Sequence, residues 1–205
     1  FTKGKIEDSV GRLVNFPEII EHTILSTCNR VEIYARANNQ DSGIDLIKKF
    51  ICDFHHLSPL ELEDHFYSYR DEEAIEHLFR VSSSFDSMVL GEAQILGQVK
   101  DAYSLAKNLS STGLILNQLF EKAFSIAKKV RDETGIAERS VSISSAAVEL
   151  AQKIFNDLEN HTVMLVGTGE MAELAAKHLI SYGIKTVYVA SRTYKRAANL
   201  ARILN

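Results

Sequence analysis

From residue 22 to residue 37 the chain keeps a period of two. His22-Thr23-Ile24-Leu25 leads in with aliphatic and β-branched residues, and Val31, Ile33 and Ala35 then alternate with Arg30, Glu32, Tyr34 and Arg36. This predicts a strand pair with one face on the core and the other toward solvent. A turn cluster over 38–43 ends it. The spacing then lengthens. Leu46, Ile47, Phe50, Ile51 and Phe54 fall at helical intervals over 45–54, and Ser58-Pro59 is an N-cap followed by a first-turn proline. Residues 65–69 read as a strand. A helix capped by Asp71 carries Ala74, Ile75, Leu78, Phe79 and Val81, and Ser82-Ser83-Ser84 with Asp86-Ser87 breaks it. Further helices are expected over 91–107 and 114–134, the second stopped by Gly135. Before residue 22 the pattern gives only a helix tail or loop over 1–15 and a turn or short helix at Pro17. Two or three strands among several helices predict an α+β fold.

The rhythm changes after a helix over 140–155, whose start is lined by Ser142, Ser144 and Ser145. Thr162-Val163-Met164-Leu165-Val166 is an unbroken apolar run of the buried, parallel-sheet kind. A glycine loop, a helix to Ser181, a second apolar run over 186–190 and a helix over 194–204 follow. This is βαβα, the opening of a doubly wound α/β sheet. The expected division is a catalytic domain over 1–138 and the start of a Rossmann-type domain over 139–205.

Composition narrows the class. The 205 residues are 45% apolar with a formal charge of −4, so any RNA contact must use a local basic patch. Lys122, Lys128, Lys129 and Arg131 could form one, or simply a solvated helix face. Two cysteines, Cys28 and Cys52, make no disulfide framework, which fits a reducing cytoplasm. No leading apolar run predicts a signal peptide or a membrane span. The chain opens without Met and stops in a helix pattern, so it is expected to be a fragment. Cys52 has the pattern of a helix core, and His55, His56 and His65 lack converging ligands, so no metal is expected.

Two stretches carry chemistry. If Cys28 continues the strand register, it shares a polar face with Arg30 and Glu32. A neighbouring cation favours the thiolate, which attacks ester carbonyls, and an arginine can grip a carboxylate in two prongs. The competing reading is a small buried hydrophobe. In the second stretch, Gly167-Thr168-Gly169-Glu170-Met171-Ala172 lies between an apolar strand and a helix, the context of a dinucleotide fingerprint with alanine at its last position. The alternative is a tight turn that needs glycine for packing alone. The second strand ends in Ser191-Arg192-Thr193 rather than in the acid that holds an NAD ribose, which points to NADPH. Arg192 could also be a plain helix-flanking charge.

The residues around Cys28 from Ser26 to Tyr34, those from Asp86 to Lys100, the glycine loop from Val166 to Ala175, and Ser191-Arg192-Thr193 together resemble the glutamyl-tRNA reductase family, in family order. The resemblance implies that Cys28 attacks the ester joining glutamate to its tRNA. Reduction of the thioester by NADPH would then give glutamate-1-semialdehyde, at the entry to tetrapyrrole synthesis. It implies that Arg30 binds the glutamate side chain and that His77 exchanges protons with the thiol or leaving hydroxyl. It places Ser87, Glu92 and Gln94 around the glutamate pocket, Glu92 facing the ammonium, and has Thr27 and Asn29 shape the turn. It also implies a homodimer formed through a C-terminal domain, and the downstream glutamate-1-semialdehyde aminomutase as a partner. Ser84-Phe85 departs from the family's usual Gly-Leu, and Ala172 from a frequent glycine. Other readings of the same residues are an NADP-dependent dehydrogenase of a small metabolite with a packed Cys28, and a nucleotide-sensing module without turnover.

Overall fold

The computed structural model describes residues 3–87, 90–92, 94–136 and 143–204, apart from the side chains of residues 3, 4, 143 and 170. Ser142, Met88, Val89, Ala93 and the expected boundary at 138/139 lie outside the described residues, as does the side chain of Glu170. The chain forms two compact units, Phe1–Arg139 and Ser140–Asn205.

The first unit is built on an antiparallel hairpin of β1 (Ile19–Ser26) and β2 (Val31–Ala37). Pairs Leu25↔Glu32, Ile24↔Ile33 and Thr23↔Tyr34 set its register, with an irregularity at Ile19/Glu21. Helices cover both faces. Ile24 packs with Val10 and Leu13 of α1 (Lys3–Leu13) and Phe50 of α2 (Gln40–His55). Leu25 and Tyr34 on the opposite face pack with Leu78 of α4 (Asp71–Ser82), Val99 of α5 (Gln94–Asn108) and Phe120 of α6 (Leu114–Thr134). Tyr34 meets Phe120 edge-on at 5.7 Å, and Tyr103 stacks on Phe120 at 5.3 Å. The expectation of one solvent-facing side is therefore overturned. Glu32 and Tyr34 are buried, and the apolar Val31 is exposed.

Two buried polar groups join the hairpin to its helices. The Glu21 carboxylate, 3% exposed, accepts from the backbone N–H of Gly113, Ile115 and Leu116 at 2.9, 3.3 and 2.7 Å. It thereby caps α6, whose own N-cap residue, Gly113, has no side chain to do so. Burial raises its pKa, and these hydrogen bonds with that of Arg36 outweigh burial and lower it. His22 is buried with Nε2 3.0 Å from the Val10 carbonyl, and burial lowers its pKa.

Three further expectations change. Residues 65–69 pair with no strand; they form an irregular link between α3 (Pro59–Glu63) and α4. The N-cap of α4 is Arg70, and the Asp71 carboxylate instead accepts from Gln40 Nε2 at 2.5 Å. The helix expected from residue 91 starts at Gln94; Gly91, at φ +82°, lies outside helical geometry, and a Cβ there would come within 2.2 Å of the Ile136 carbonyl oxygen.

In the second unit β3 (Thr162–Val166) and β4 (Thr186–Ala190) run parallel, with α7 (Ile143–Phe155), α8 (Glu170–Ser181) and α9 (Tyr194–Leu204). Val148, Leu158, Leu179 and Ile184 form its core, with Val163 and Val187 against them. The strands were expected to be buried throughout. Leu165 is, but Met164, Val166 and Tyr188 are exposed, since among the described residues of this unit the sheet has two strands and no helix covers those side chains. Among the described residues no helix is long and apolar enough to cross a membrane.

Candidate active site

Cys28 does not continue the strand register. It sits in the hairpin turn between Ser26 and Val31, with its side chain exposed. Thr27 builds that turn. Its N–H donates to the Arg30 carbonyl at 2.9 Å, and its Oγ1 accepts from the N–H of Asn29 and Arg30 at 3.2 and 3.1 Å. A hydroxyl closing its own loop in this way is a common turn device of Ser and Thr. The thiol is therefore held out by backbone geometry rather than by packing of its own side chain.

Arg30, the last residue of the turn, points back into a polar cluster centred on Glu32. Oε1 of Glu32 accepts from Arg30 Nη1 at 2.8 Å, Tyr67 OH at 2.7 Å and His77 Nε2 at 2.9 Å. Oε2 accepts from Tyr34 OH. Burial raises the pKa of this carboxyl, but the hydrogen bonds from His77, Tyr34 and Tyr67 outweigh burial and hold it down to about 2. An ionised carboxylate only accepts, so Nε2 of His77 carries the proton and Nδ1 is the nitrogen able to take one up. Tyr34 and Tyr67 have raised pKa values, first from burial and then from the charge of Glu32 and the hydrogen bond to it, and remain protonated donors.

Arg30 also bonds to Asp86, through Nη1 to Oδ2 at 2.8 Å and through Nη2 to the backbone carbonyl. Burial works against its charge, and the bond to Asp86 with the charge of Glu32 outweighs burial and raises its pKa. The Asp86 carboxylate thus occupies a prong expected for a substrate carboxylate. Asp86 is held by a tight loop. Ser84, fully buried at φ +64°, donates from Oγ to the Glu92 carbonyl at 2.7 Å, and its own carbonyl accepts from the Gly91 N–H at 3.3 Å.

A cavity of about 820 Å³ opens beside this cluster, lined by Asn29, Arg30, Glu32, Tyr67, His77 and Asp86 among others. The structure therefore brings Asn29, Arg30 and His77 together. Ser87, Glu92 and Gln94 are half-buried on the neighbouring segment and do not line the cavity, and neither do Thr27 and Cys28. Asp86 and Tyr67 were not singled out from sequence, although Asp86 stands inside one of the motifs. Among the described residues no three His, Cys, Asp or Glu side chains gather as a metal site.

The glycine turn lies in the second unit. Gly167 has φ +121°, a conformation that side chains disfavour, and its N–H donates to the Ala190 carbonyl at 2.8 Å. Gly169 is the N-cap of α8, with no side-chain cap on the helix start. A Cβ at Gly167 or Gly169 would meet no atom within 4 Å, so open space faces both glycines of the turn. Ser144 steadies the first turn of α8, donating to the Met171 carbonyl at 3.2 Å. Thr168, Met171 and Ala172 are half-buried along this stretch, and Glu170 begins the helix. Ser191 Oγ accepts from the Thr193 N–H at 3.4 Å, and Arg192 is exposed with no ion pair among the described residues. An uncapped helix start behind a glycine turn, followed by a cation after the second strand, fits a phosphorylated dinucleotide.

An α+β unit presenting a thiol on a hairpin, followed by the βαβα opening of a Rossmann-type unit, is the two-part plan of this class. Residues 1–134 match the glutamyl-tRNA(Glu) reductase N-terminal domain, and residues 149–205 match the shikimate/quinate 5-dehydrogenase family. The chain belongs to the glutamyl-tRNA reductase family. It is 53% identical over 201 residues to glutamyl-tRNA reductase of Geotalea uraniireducens, covering 98% of this chain and 46% of that protein. It is 51% identical to that of Geobacter sulfurreducens over the same shares of the two chains. The solved glutamyl-tRNA reductase of Methanopyrus kandleri aligns over 97% of this chain and 46% of its own, with a TM-score of 0.61 and 40% identity. The chain spans a little under half the length of the relatives it matches.

Proposed function

We propose that this chain carries the acyl-transfer site, and part of the reducing site, of an enzyme that converts glutamyl-tRNA to glutamate-1-semialdehyde. The observation that carries this is the Glu32 carboxylate, which binds Arg30 and His77 on one oxygen beside the turn that exposes Cys28. The Cys28 thiolate attacks the ester carbonyl, the bond from the acyl carbon to the ribose oxygen breaks, and the tRNA leaves as its free hydroxyl. His77 takes the thiol proton at Nδ1 and returns it to that oxygen. Arg30 orients the glutamate carboxylate, which displaces Asp86 from one prong. Thr27 and Asn29 keep the turn in place, while Ser87, Glu92 and Gln94 complete the pocket, Glu92 toward the ammonium.

NADPH, when bound, supplies the hydride that turns the Cys28 thioester into an aldehyde and a thiolate. Gly167, Thr168, Gly169, Glu170, Met171 and Ala172 would hold its pyrophosphate, and Ser191, Arg192 and Thr193 its 2′-phosphate. Homodimerisation through a C-terminal domain and transfer of the product to an aminomutase belong to the same reading, supported by the family and by the share of the relatives that this chain spans.

The test is to incubate the chain with glutamyl-tRNA and weigh the intact protein. A glutamyl adduct on Cys28, absent in Cys28→Ser, is expected. Full reductase activity of that substitution in the whole enzyme, or turnover of a free acid without tRNA, removes the proposal.

A further inference from the structure

Two tyrosines in the cavity do not belong to the core, and only the hydroxyl of the first takes part in the Glu32 cluster. Tyr67 and Tyr69 lie on the irregular link before α4, 49% and 47% exposed, with ring centroids 5.5 Å apart. Two positions apart in an open segment, they turn to one side and stand over His77, at 5.6 and 4.7 Å between ring centroids. The bond from Tyr67 OH to Glu32 fixes the first ring, and both rings line the same cavity as Asn29 and Arg30, the two residues after Cys28. A half-exposed aromatic pair lining a cavity offers a π-face, and a planar, neutral base is what such rings stack on well.

We propose that Tyr67 and Tyr69 form the stacking site for the terminal adenine of the aminoacylated substrate. This rests on the acyl-transfer reading above. In any aminoacyl-tRNA the ester carbonyl is carried on the ribose of the terminal adenosine, so the base must sit close to wherever the carbonyl meets Cys28. The charged cluster serves the amino acid, and the adjoining aromatic wall of the cavity serves the base. The site takes a base for its π-face, not for its hydrogen-bonding edge.

The test compares two small esters as probes, glutamate esterified to the 3′-hydroxyl of adenosine and glutamate α-ethyl ester. For each, the rate of adduct formation on Cys28 is measured by intact mass. The quantity read is the ratio of the two rates, in which any general loss of folding or of thiol reactivity cancels. Tyr69→Ala is expected to lower that preference for the adenosyl ester roughly 5- to 150-fold, the range for truncating one stacking aromatic. Tyr69→Trp is expected to keep it. An unchanged ratio in Tyr69→Ala, or a ratio lost equally in Tyr69→Trp, overturns the base site while leaving the acyl chemistry intact. No adduct from either ester on the unaltered chain overturns both.

Discussion

The Glu32 cluster predicts a particular dependence of stability on pH. Its carboxyl is held at about 2 against an ordinary value of 4.5. A tenfold change in an ionisation equilibrium is worth about 1.4 kcal/mol, so the native state favours the carboxylate by about 3 kcal/mol. Because the folded pKa lies below the unfolded one, this stability is fully present above about pH 4.5 and is lost as pH falls toward 2. Glu32→Gln removes the charge that Arg30, Tyr67 and His77 share on Oε1 and puts an amide N–H₂ in place of the oxygen that accepts from Tyr34. Breaking a buried charge pair from one side costs about 3–5 kcal/mol. Urea unfolding at pH 7, followed by near-ultraviolet dichroism of the tyrosines, should show a loss of that order. The difference between the unaltered chain and Glu32→Gln should then shrink by about 3 kcal/mol between pH 5 and pH 2. A difference that stays flat across that range would refute the assignment of the lowered pKa to this cluster.

Other positions give sharper or weaker effects. Ser84→Gly relieves a left-handed backbone worth about 1–2 kcal/mol but loses the hydroxyl bond to Glu92, worth about 1 kcal/mol, so its urea midpoint should move little. Gly91→Ala drives a methyl onto the Ile136 carbonyl and should destabilise the first unit by several kcal/mol, roughly the cost of a forced clash at positive φ, in the same assay. His22 has a lowered pKa from burial, so the unfolded chain takes up its proton first, and stability should fall as pH drops below 6.5. His22→Gln should flatten the melting curves in that window. Removing the Arg192 charge should weaken NADPH binding roughly 10- to 100-fold while leaving NADH little changed, measured by titration calorimetry on the whole enzyme.

Legibility in the sequence followed the range of each interaction. The βαβα order of the second unit was readable because each strand, glycine turn and helix is a local pattern. The hairpin was also readable, but its burial was not. A period of two marks the two faces of β2, yet it does not reveal that α1 and α2 cover one and α4, α5 and α6 the other. Glu32 and Tyr34 then look like solvent residues, although they are buried because they satisfy each other. Residues 65–69 have the aromatic content of a strand but no neighbour to pair with. The bond from Arg30 to Asp86 spans 56 positions, and the cap that Glu21 places on α6 spans more than 90, so no spacing rule reaches them. The thiol was found through its motif, whereas its place in a turn rather than a strand depended on the Thr27 hydroxyl.

That turn has a practical corollary. Since the Thr27 hydroxyl and the main chain set its shape, the side chain at position 28 can be exchanged at little cost to the architecture. Selenocysteine, which keeps a nucleophile at that place, could be installed there to follow acylation by an activated ester in real time.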